Sequence, residues 1–405
     1  MGPRLNGPAP GRRARHGRAA ERPLASRGHR DARHPAGGAP PHAAARRTVT
    51  IMDVARTAGV SPATVSRVLN RSSHPVSARG RRRVLAAARK LAYIPNLLAR
   101  SLLTHRTAAL GILIPDVSNP YYAAVLRGIE DAVGSTGRTV ILCNTDRNPE
   151  KQRLYLRALM ERRVDGLIVA GGSFGRAETE ITGGDLPVVM IGRHPARFPS
   201  VRIDNVEAAA LAASHLLALG HRRILHLAGP PASLTAADRL KGFRRALAEG
   251  GIPLENGLVA EVGFSPARAG AAVRSAFTAP GRSPGSRASA GHRASGRGAR
   301  GRPDGDRPTA VLAANDQVAI AAIRALHELG LRVPDDVSVV GFDDTPLASY
   351  TVPSLTTVAV PAYELGRTAV SLLAAALEGR RAASVVLPCE LRVRESTAQP
   401  NRRRG

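Results

Sequence analysis

Thr48-Val-Thr-Ile-Met-Asp-Val-Ala-Arg-Thr-Ala-Gly-Val-Ser-Pro-Ala-Thr-Val-Ser-Arg-Val-Leu-Asn70 reads as two short helices joined by a tight turn. Thr50 with Asp53 three residues on has the spacing of a capping box, Asp standing for the usual Glu. Ile51, Val54 and Ala55 then recur at helical spacing, and Gly59 ends the segment. Ser61 and Pro62 open the next helix at once, Ser as N-cap and Pro at the first helical position. Val65, Val68 and Leu69 make its apolar stripe, with Thr64, Ser66, Arg67 and Asn70 off it. Ser77 caps a third helix expected over residues 78–92, whose Val84, Leu85, Ala88 and Leu91 are expected to close a three-helix core. Two helices about a turn of three residues with a Gly form a helix-turn-helix, whose second helix enters the DNA major groove N-terminus first. Arg67 can bond a guanine bidentately or grip a phosphate, whereas Pro62 and Ala63 offer only apolar contact, as with a thymine methyl. Arg81, Arg82 and Arg83 read as solvated or phosphate-positioning.

Charge agrees with a polyanion partner. The 405 residues carry 59 Lys and Arg against 31 Asp and Glu, a net +28. Residues 49–106 hold 11 Lys and Arg against Asp53 alone. Residues 1–48 hold 11 Arg against Glu21 and Asp31, and residues 279–308 hold seven Arg against Asp304 and Asp306. Both of these last stretches are Gly-, Ala-, Pro- and Ser-rich, a composition that buries too little surface to offset ordering entropy. They read as a disordered basic tail and a disordered insert, and the remaining chain is close to neutral. No run of about 18 apolar residues exists to span a membrane, and no apolar stretch follows the basic start as in a signal peptide. Cys143 and Cys389 lack metal-ligand spacing, so neither a disulfide framework nor zinc is indicated. The expectation is a soluble cytoplasmic protein without cofactor.

The quoted run is similar, over more than twenty consecutive residues, to the headpiece of the lactose/galactose-repressor (LacI/GalR) family. Two departures are visible, Gly80 in the first turn of the third helix and a 72–76 loop one residue too long. The resemblance implies DNA contacts by Thr50, Ser61, Pro62, Ala63, Thr64, Ser66, Arg67 and Asn70. It also makes Tyr93-Ile-Pro-Asn-Leu-Leu-Ala-Arg-Ser-Leu-Leu103 a hinge, too short to be a stable helix alone in water. In the family such a hinge folds on operator DNA against the second subunit's hinge. Asn96, Ala99 and Leu102 would act there, Leu102 as the wedge in the central minor-groove step. The implied partners are double-stranded operator DNA and a second copy of the chain, with a tetramer left open.

From residue 109 short apolar runs alternate with helical patterns. Residues 109–115, 139–143, 166–170, 188–191 and 201–203 read as buried parallel strands, followed by 224–228, 259–262, 310–314, 337–340 and 357–360. That is an α/β core of two doubly wound parallel-sheet subdomains, in the family a periplasmic-binding-protein-like core. The expected first subdomain covers about 107–204 and 359–384, the second about 205–358 and 385–400, behind a hinge over 95–106. Ligands of such sheets sit at the carboxyl ends of strands. Asp116, Asn119, Tyr121 and Tyr122 follow the first strand, Arg193 the fourth, and Asn315 and Asp343 later ones. Asp316 and Asp344 read rather as loop braces. By resemblance Arg239, Asn315 and Asp343 match the family's effector contacts, and Tyr121, Tyr122 and Phe264 its aromatic cleft positions. Gly192 and Val360 replace residues common in the family, so the effector cannot be carried over. The expected effector is a small molecule, a mono- or oligosaccharide, with a purine-type molecule as the alternative.

Other functions fit less well. Gly171-Gly-Ser-Phe-Gly175 has the form of a nucleophile elbow, but little room follows Ser173 for the long supporting helix, and no acid and His follow at diagnostic spacing. A solute-binding transport protein is compatible with the core but not with a DNA-reading headpiece.

Overall fold

The computed structural model describes residues 49–69, 74–93, 107–134, 136–172, 174–194, 198–253, 258–278 and 307–401. The expectations for residues 1–48, Asn70, the hinge with Asn96, Ala99 and Leu102, Ser173, and most of the 279–308 insert lie outside these. The chain divides into two compact units, Met1–Pro95 and Asn96–Gly405.

The first unit is the three-helix headpiece: α1 (Ile51–Ala58), α2 (Pro62–Leu69) and α3 (Ala78–Lys90). The capping box forms as the spacing requires. Thr50 Oγ1 accepts from Asp53 N at 3.4 Å, and Thr50 N donates to Asp53 Oδ2 at 3.0 Å. Gly59 takes φ +60°, and a Cβ there would lie 2.2 Å from Arg83 Nη2. That guanidinium donates to the Gly59 carbonyl at 3.3 Å, so Arg83 braces the turn between α1 and α2. Val54, Ala55, Ala58, Val65, Val68, Val84 and Ala87 form the core, with Leu69, Ala88 and Leu91 packed at its edge. Leu85 corrects the expected stripe: it is exposed, and Ala87 is buried instead. Three residues on from Val84 puts Ala87 on the same helix face, whereas Leu85 is turned about 100° away.

The second unit contains two six-stranded sheets, in the orders β11-β5-β4-β3-β1-β2 and β12-β10-β9-β8-β6-β7. The first holds β1 (Ala109–Ile114), β2 (Thr139–Asn144), β3 (Gly166–Ala170), β4 (Val188–Ile191), β5 (Ser200–Ile203) and β11 (Val385–Leu387). The second holds β6 (Ile224–Ala228), β7 (Val259–Glu261), β8 (Ala310–Ala313), β9 (Ser338–Asp343), β10 (Thr356–Ala359) and β12 (Glu390–Arg392). All ten strands read from the sequence are present and paired in parallel, for instance Leu110 with Gly166 and Ile224 with Ala310. Two further strands escape the apolar-run criterion. β11 and β12 are three-residue edge strands that alternate half-buried and exposed positions, and β12 runs antiparallel to β10. Because β11 pairs with β5, residues 385–387 belong to the first subdomain, not to the second as the sequence reading places them.

Helices cover both sheets: α4 (Pro120–Gly134), α5 (Pro149–Glu161), α6 (Arg176–Ile181), α7 (Asn205–Ala218), α8 (Leu234–Glu249), α9 (Pro266–Thr278), α10 (Asp316–Glu328), α11 (Pro346–Tyr350) and α12 (Ala362–Leu377). Helices α4 and α12 approach through glycine. A Cβ on Gly128 would meet the Tyr363 carbonyl oxygen at 2.0 Å, and one on Gly366 would meet the Val125 carbonyl oxygen at 2.1 Å. Alanine favours a helix by roughly 1 kcal/mol over glycine, yet backbone cannot yield to it here as a flexible side chain would. Gly366→Ala is therefore expected to destabilise the core by about 1–3 kcal/mol. Denaturant unfolding checks this, and an unchanged or raised midpoint would show that the helices are free to separate.

Candidate functional site

Loops leaving the carboxyl ends of strands in both sheets converge on a cleft of ≈ 480 Å³ between the two subdomains. Arg239, on α8, is the most heavily engaged group in it. Its Nε donates to Asn205 Oδ1 at 3.0 Å, Nη1 donates to the Ala314 carbonyl, and Nη2 lies 3.6 Å from Asp343 Oδ1. Its guanidinium carbon sits 3.5 Å from the centroid of the Phe342 ring, close enough for a cation–π contact. Arg239 and Asp343 are both buried and both line the cleft. Burial pushes the Asp343 carboxyl above the usual carboxylate range, and the facing guanidinium of Arg239 offsets part of that rise. Asp343 ends β9 with φ +116°, a backbone angle that aims its side chain off the strand and that Asn adopts more readily than most residues.

The other walls are aromatic and amide. Tyr121 and Tyr122 open α4 and pack edge to face at 5.0 Å, and burial raises both phenols. Asn119 Oδ1 accepts from Tyr121 N at 3.0 Å, fixing the pair at the helix start. Asn315 caps α10, its Oδ1 accepting from Val318 N at 2.9 Å. Phe264, at φ +62°, lies against Gly229, where a Cβ would come within 2.6 Å of the ring. Contacts between described residues also cross the cleft. Arg193 donates to Asp238 of α8, Gln317 Nε2 donates to the Ser118 carbonyl at 3.4 Å, and Arg147 lies 5.7 Å from the Phe264 ring centroid.

The structure thus brings Asn119, Tyr121, Tyr122, Arg193, Arg239, Phe264, Asn315 and Asp343 to one cleft. Asp116 is the exception. It does not line the cleft; its carboxylate accepts from Ser118 N at 3.0 Å and pairs with Arg147 at 3.2 Å. The short Asp116–Ser118 turn uses up the acceptors that a ligand would need. Asp316 and Asp344 brace loops, as read from the sequence. Asp316 accepts from Thr345 N at 2.7 Å and Thr357 Oγ1 at 2.6 Å, while Asp344 pairs with Arg392 and Arg394.

Sequence reading missed Arg147, Gln152, His194, Arg202, Asn205 and Arg268 in the cleft lining. Arg147 follows β2, so the strand-end rule applied there would have found it. Burial lowers the His194 imidazole to about 4, so it is neutral at pH 7. Among the described residues no group of three His, Cys, Asp or Glu is placed to hold a metal, and none of the described helices is long and apolar enough to cross a membrane. The helix after Gly175 is only the six-residue α6.

In the headpiece Ser61 Oγ accepts from Thr64 N at 3.2 Å, which caps α2 and ties the Ser61 and Thr64 hydroxyls 2.9 Å apart. Ala63 and Arg67 are exposed on α2, with Pro62, Thr64 and Ser66 partly so. Val65 and Val68 point the other way, into the core. Thr50 is exposed at the start of α1, its hydroxyl donating to Asp53 Oδ2 at 2.7 Å. The exposed face of α2 therefore carries one cation and small side chains, which leaves room for close approach to a groove.

Comparison with known proteins follows the same division. Residues 50–96 match the family described as bacterial regulatory proteins, lacI family. Residues 107–285 match the periplasmic binding proteins and sugar binding domain of LacI family, and residues 213–397 a periplasmic binding protein-like domain. The HTH-type transcriptional regulator DegA of Bacillus subtilis is 36% identical over 361 residues, covering 87% of this chain and 99% of that protein. The crystal structure of the Lac repressor dimer bound to operator and the anti-inducer ONPF is 30% identical, with a TM-score of 0.73 over 87% of this chain and all of that one. A complex of the transcriptional regulator CelR with cellobiose is 29% identical, with a TM-score of 0.61 over 86% of this chain and 99% of that one. With its helix-turn-helix, its two-sheet core and these relatives, the chain belongs to the lacI family of bacterial DNA-binding transcriptional regulators.

Proposed function

We propose that this regulator is a cytoplasmic repressor that binds a pseudo-palindromic operator as a homodimer and leaves it when a small sugar fills the cleft. The observation that carries the ligand half is the buried Arg239–Asp343 pair facing the Tyr121–Tyr122 edge. A carboxylate and a guanidinium bond neighbouring hydroxyls as acceptor and donor, and an aromatic face covers the C–H side of a sugar ring. The cleft volume of ≈ 480 Å³ suits a mono- or disaccharide. The sugar complex of the CelR relative supports the same reading. The aromatic groups also suit a purine-type ligand, which is the second reading. No catalytic role is assigned to the cleft.

The DNA half rests on the exposed face of α2. Thr50, Ser61, Pro62, Ala63, Thr64, Ser66, Arg67 and Asn70 are assigned to groove and phosphate contact, Asn96, Ala99 and Leu102 to the hinge, and Leu102 to the minor-groove wedge. A single headpiece of this size reads only about four or five base pairs, so specificity requires two of them. The operator-bound Lac repressor dimer supports that arrangement.

A ligand shifts an equilibrium only by its differential affinity for the two states, typically about 1–3 kcal/mol, or roughly 5–150-fold. Sugars and purines screened against the protein–operator complex, with release read by fluorescence anisotropy, test the reading. Release by a sugar within that range is the expected result. Release by purines alone would replace the sugar with the second reading.

A further inference from the structure

The charge of the cleft lining is lopsided in a way that a neutral sugar does not require. Five guanidiniums line it, those of Arg147, Arg193, Arg202, Arg239 and Arg268, against the single carboxylate of Asp343. Three of the five face a carboxylate: Arg147 that of Asp116, Arg193 that of Asp238, and Arg239 that of Asp343. Among the described residues Arg202 and Arg268 have no carboxylate at ion-pairing distance. Arg268 gives one bond, from Nη2 to the Glu261 carbonyl at 2.8 Å, and keeps its other donors.

Arg268 and Arg147 also converge on one corner. Arg268 Nη1 would lie 3.0 Å from a Cβ on Gly263, and Arg147 lies 5.7 Å from the ring centroid of the next residue, Phe264. Gly263 and Phe264 both have φ of +62°, so the loop turns sharply between the two guanidiniums. A cleft lined by one sign of charge, with low-dielectric walls, concentrates the opposite charge. The planar fork of Arg matches a carboxylate or phosphate two bonds at a time, which a hydroxyl cannot reproduce. Asp343 does not oppose this, because Arg239 already faces it.

We propose that the ligand of this cleft is an anionic sugar-sized molecule, a polyol carrying a carboxylate or phosphate that Arg268, beside Arg147, receives at the Gly263–Phe264 corner. This inference rests on the sugar-effector reading above and narrows it.

The test is binding calorimetry of the full chain with matched sets: common hexoses and pentoses, each beside its uronate or aldonate and its phosphate monoester. The expected result is at least one set in which an acidic member binds about tenfold or more tighter than its neutral parent, as two charge-assisted bonds allow. The preference should shrink as salt is raised. The uronate and phosphate arms show which acid group is taken. In Arg268→Gln, with folding checked by its thermal midpoint, that preference should fall to about twofold or less. Arg324→Gln, an equal loss of charge on the outer face of α10, should keep it. Neutral sugars that bind as tightly as their acids in every set overturn the anionic assignment alone, as does an Arg268→Gln variant that keeps the preference. Binding of no member of any set overturns the sugar reading together with it.

Discussion

Asp343→Asn is expected to stay on the operator at ligand concentrations that release the unaltered chain. Asn has nearly the same shape and tolerates the positive φ at this position, so the change removes charge and leaves the backbone in place. The ligand then loses a charged acceptor, and hydrogen bonds to charged groups contribute about 1.5–3 kcal/mol. A loss of that size equals the whole coupling that drives release, so the response should disappear and not merely shift. Arg239→Ala should lose the response as well and carry a second penalty. It strands the buried Asp343 carboxyl and removes the donors to Asn205 and Ala314, and breaking a buried pair from one side costs about 3–5 kcal/mol. Operator titrations with and without ligand, beside denaturant unfolding, separate the two effects. Normal release by both variants would place the pocket elsewhere.

Arg67→Ala carries the second large effect. Arg67 is the one cation on the exposed face of α2, and loss of a bidentate guanine contact costs about 1–3 kcal/mol at one base position per half-site. Binding to operator variants substituted at each position should show discrimination collapsing at a single symmetric pair of positions. A uniform weakening across all sequences, with a shallower salt dependence, would instead make Arg67 a phosphate contact.

Residue patterns alone carried the headpiece furthest, because each of its signals has a local cause. A capping box, a Gly at φ +60° and a Ser-Pro helix start act within a few residues of one another. Leu85 escaped because helical periodicity marks a stripe without saying which of its edges meets neighbours. In so small a core only Val84 and Ala87 of α3 are fully covered. In the core, buried central strands were legible as apolar runs, whereas β11 and β12 were not, since edge strands hide neither face completely. Strand ends located most of the cleft. They failed for Asp116, whose acceptors are satisfied within its own turn and by Arg147. Arg268 was out of reach for a different reason: it sits on α9 and enters the cleft through the Gly263–Phe264 turn, a tertiary placement that no spacing encodes.

The most direct test of the whole account is selection of bound duplexes from a random DNA library by the full chain, repeated with the sugar that the screen identifies. The account predicts enrichment of a pseudo-palindrome, two half-sites about a deformable central step, and loss of that enrichment when the sugar is present. Enrichment of a lone half-site, or of the same palindrome with equal strength in saturating sugar, would contradict it.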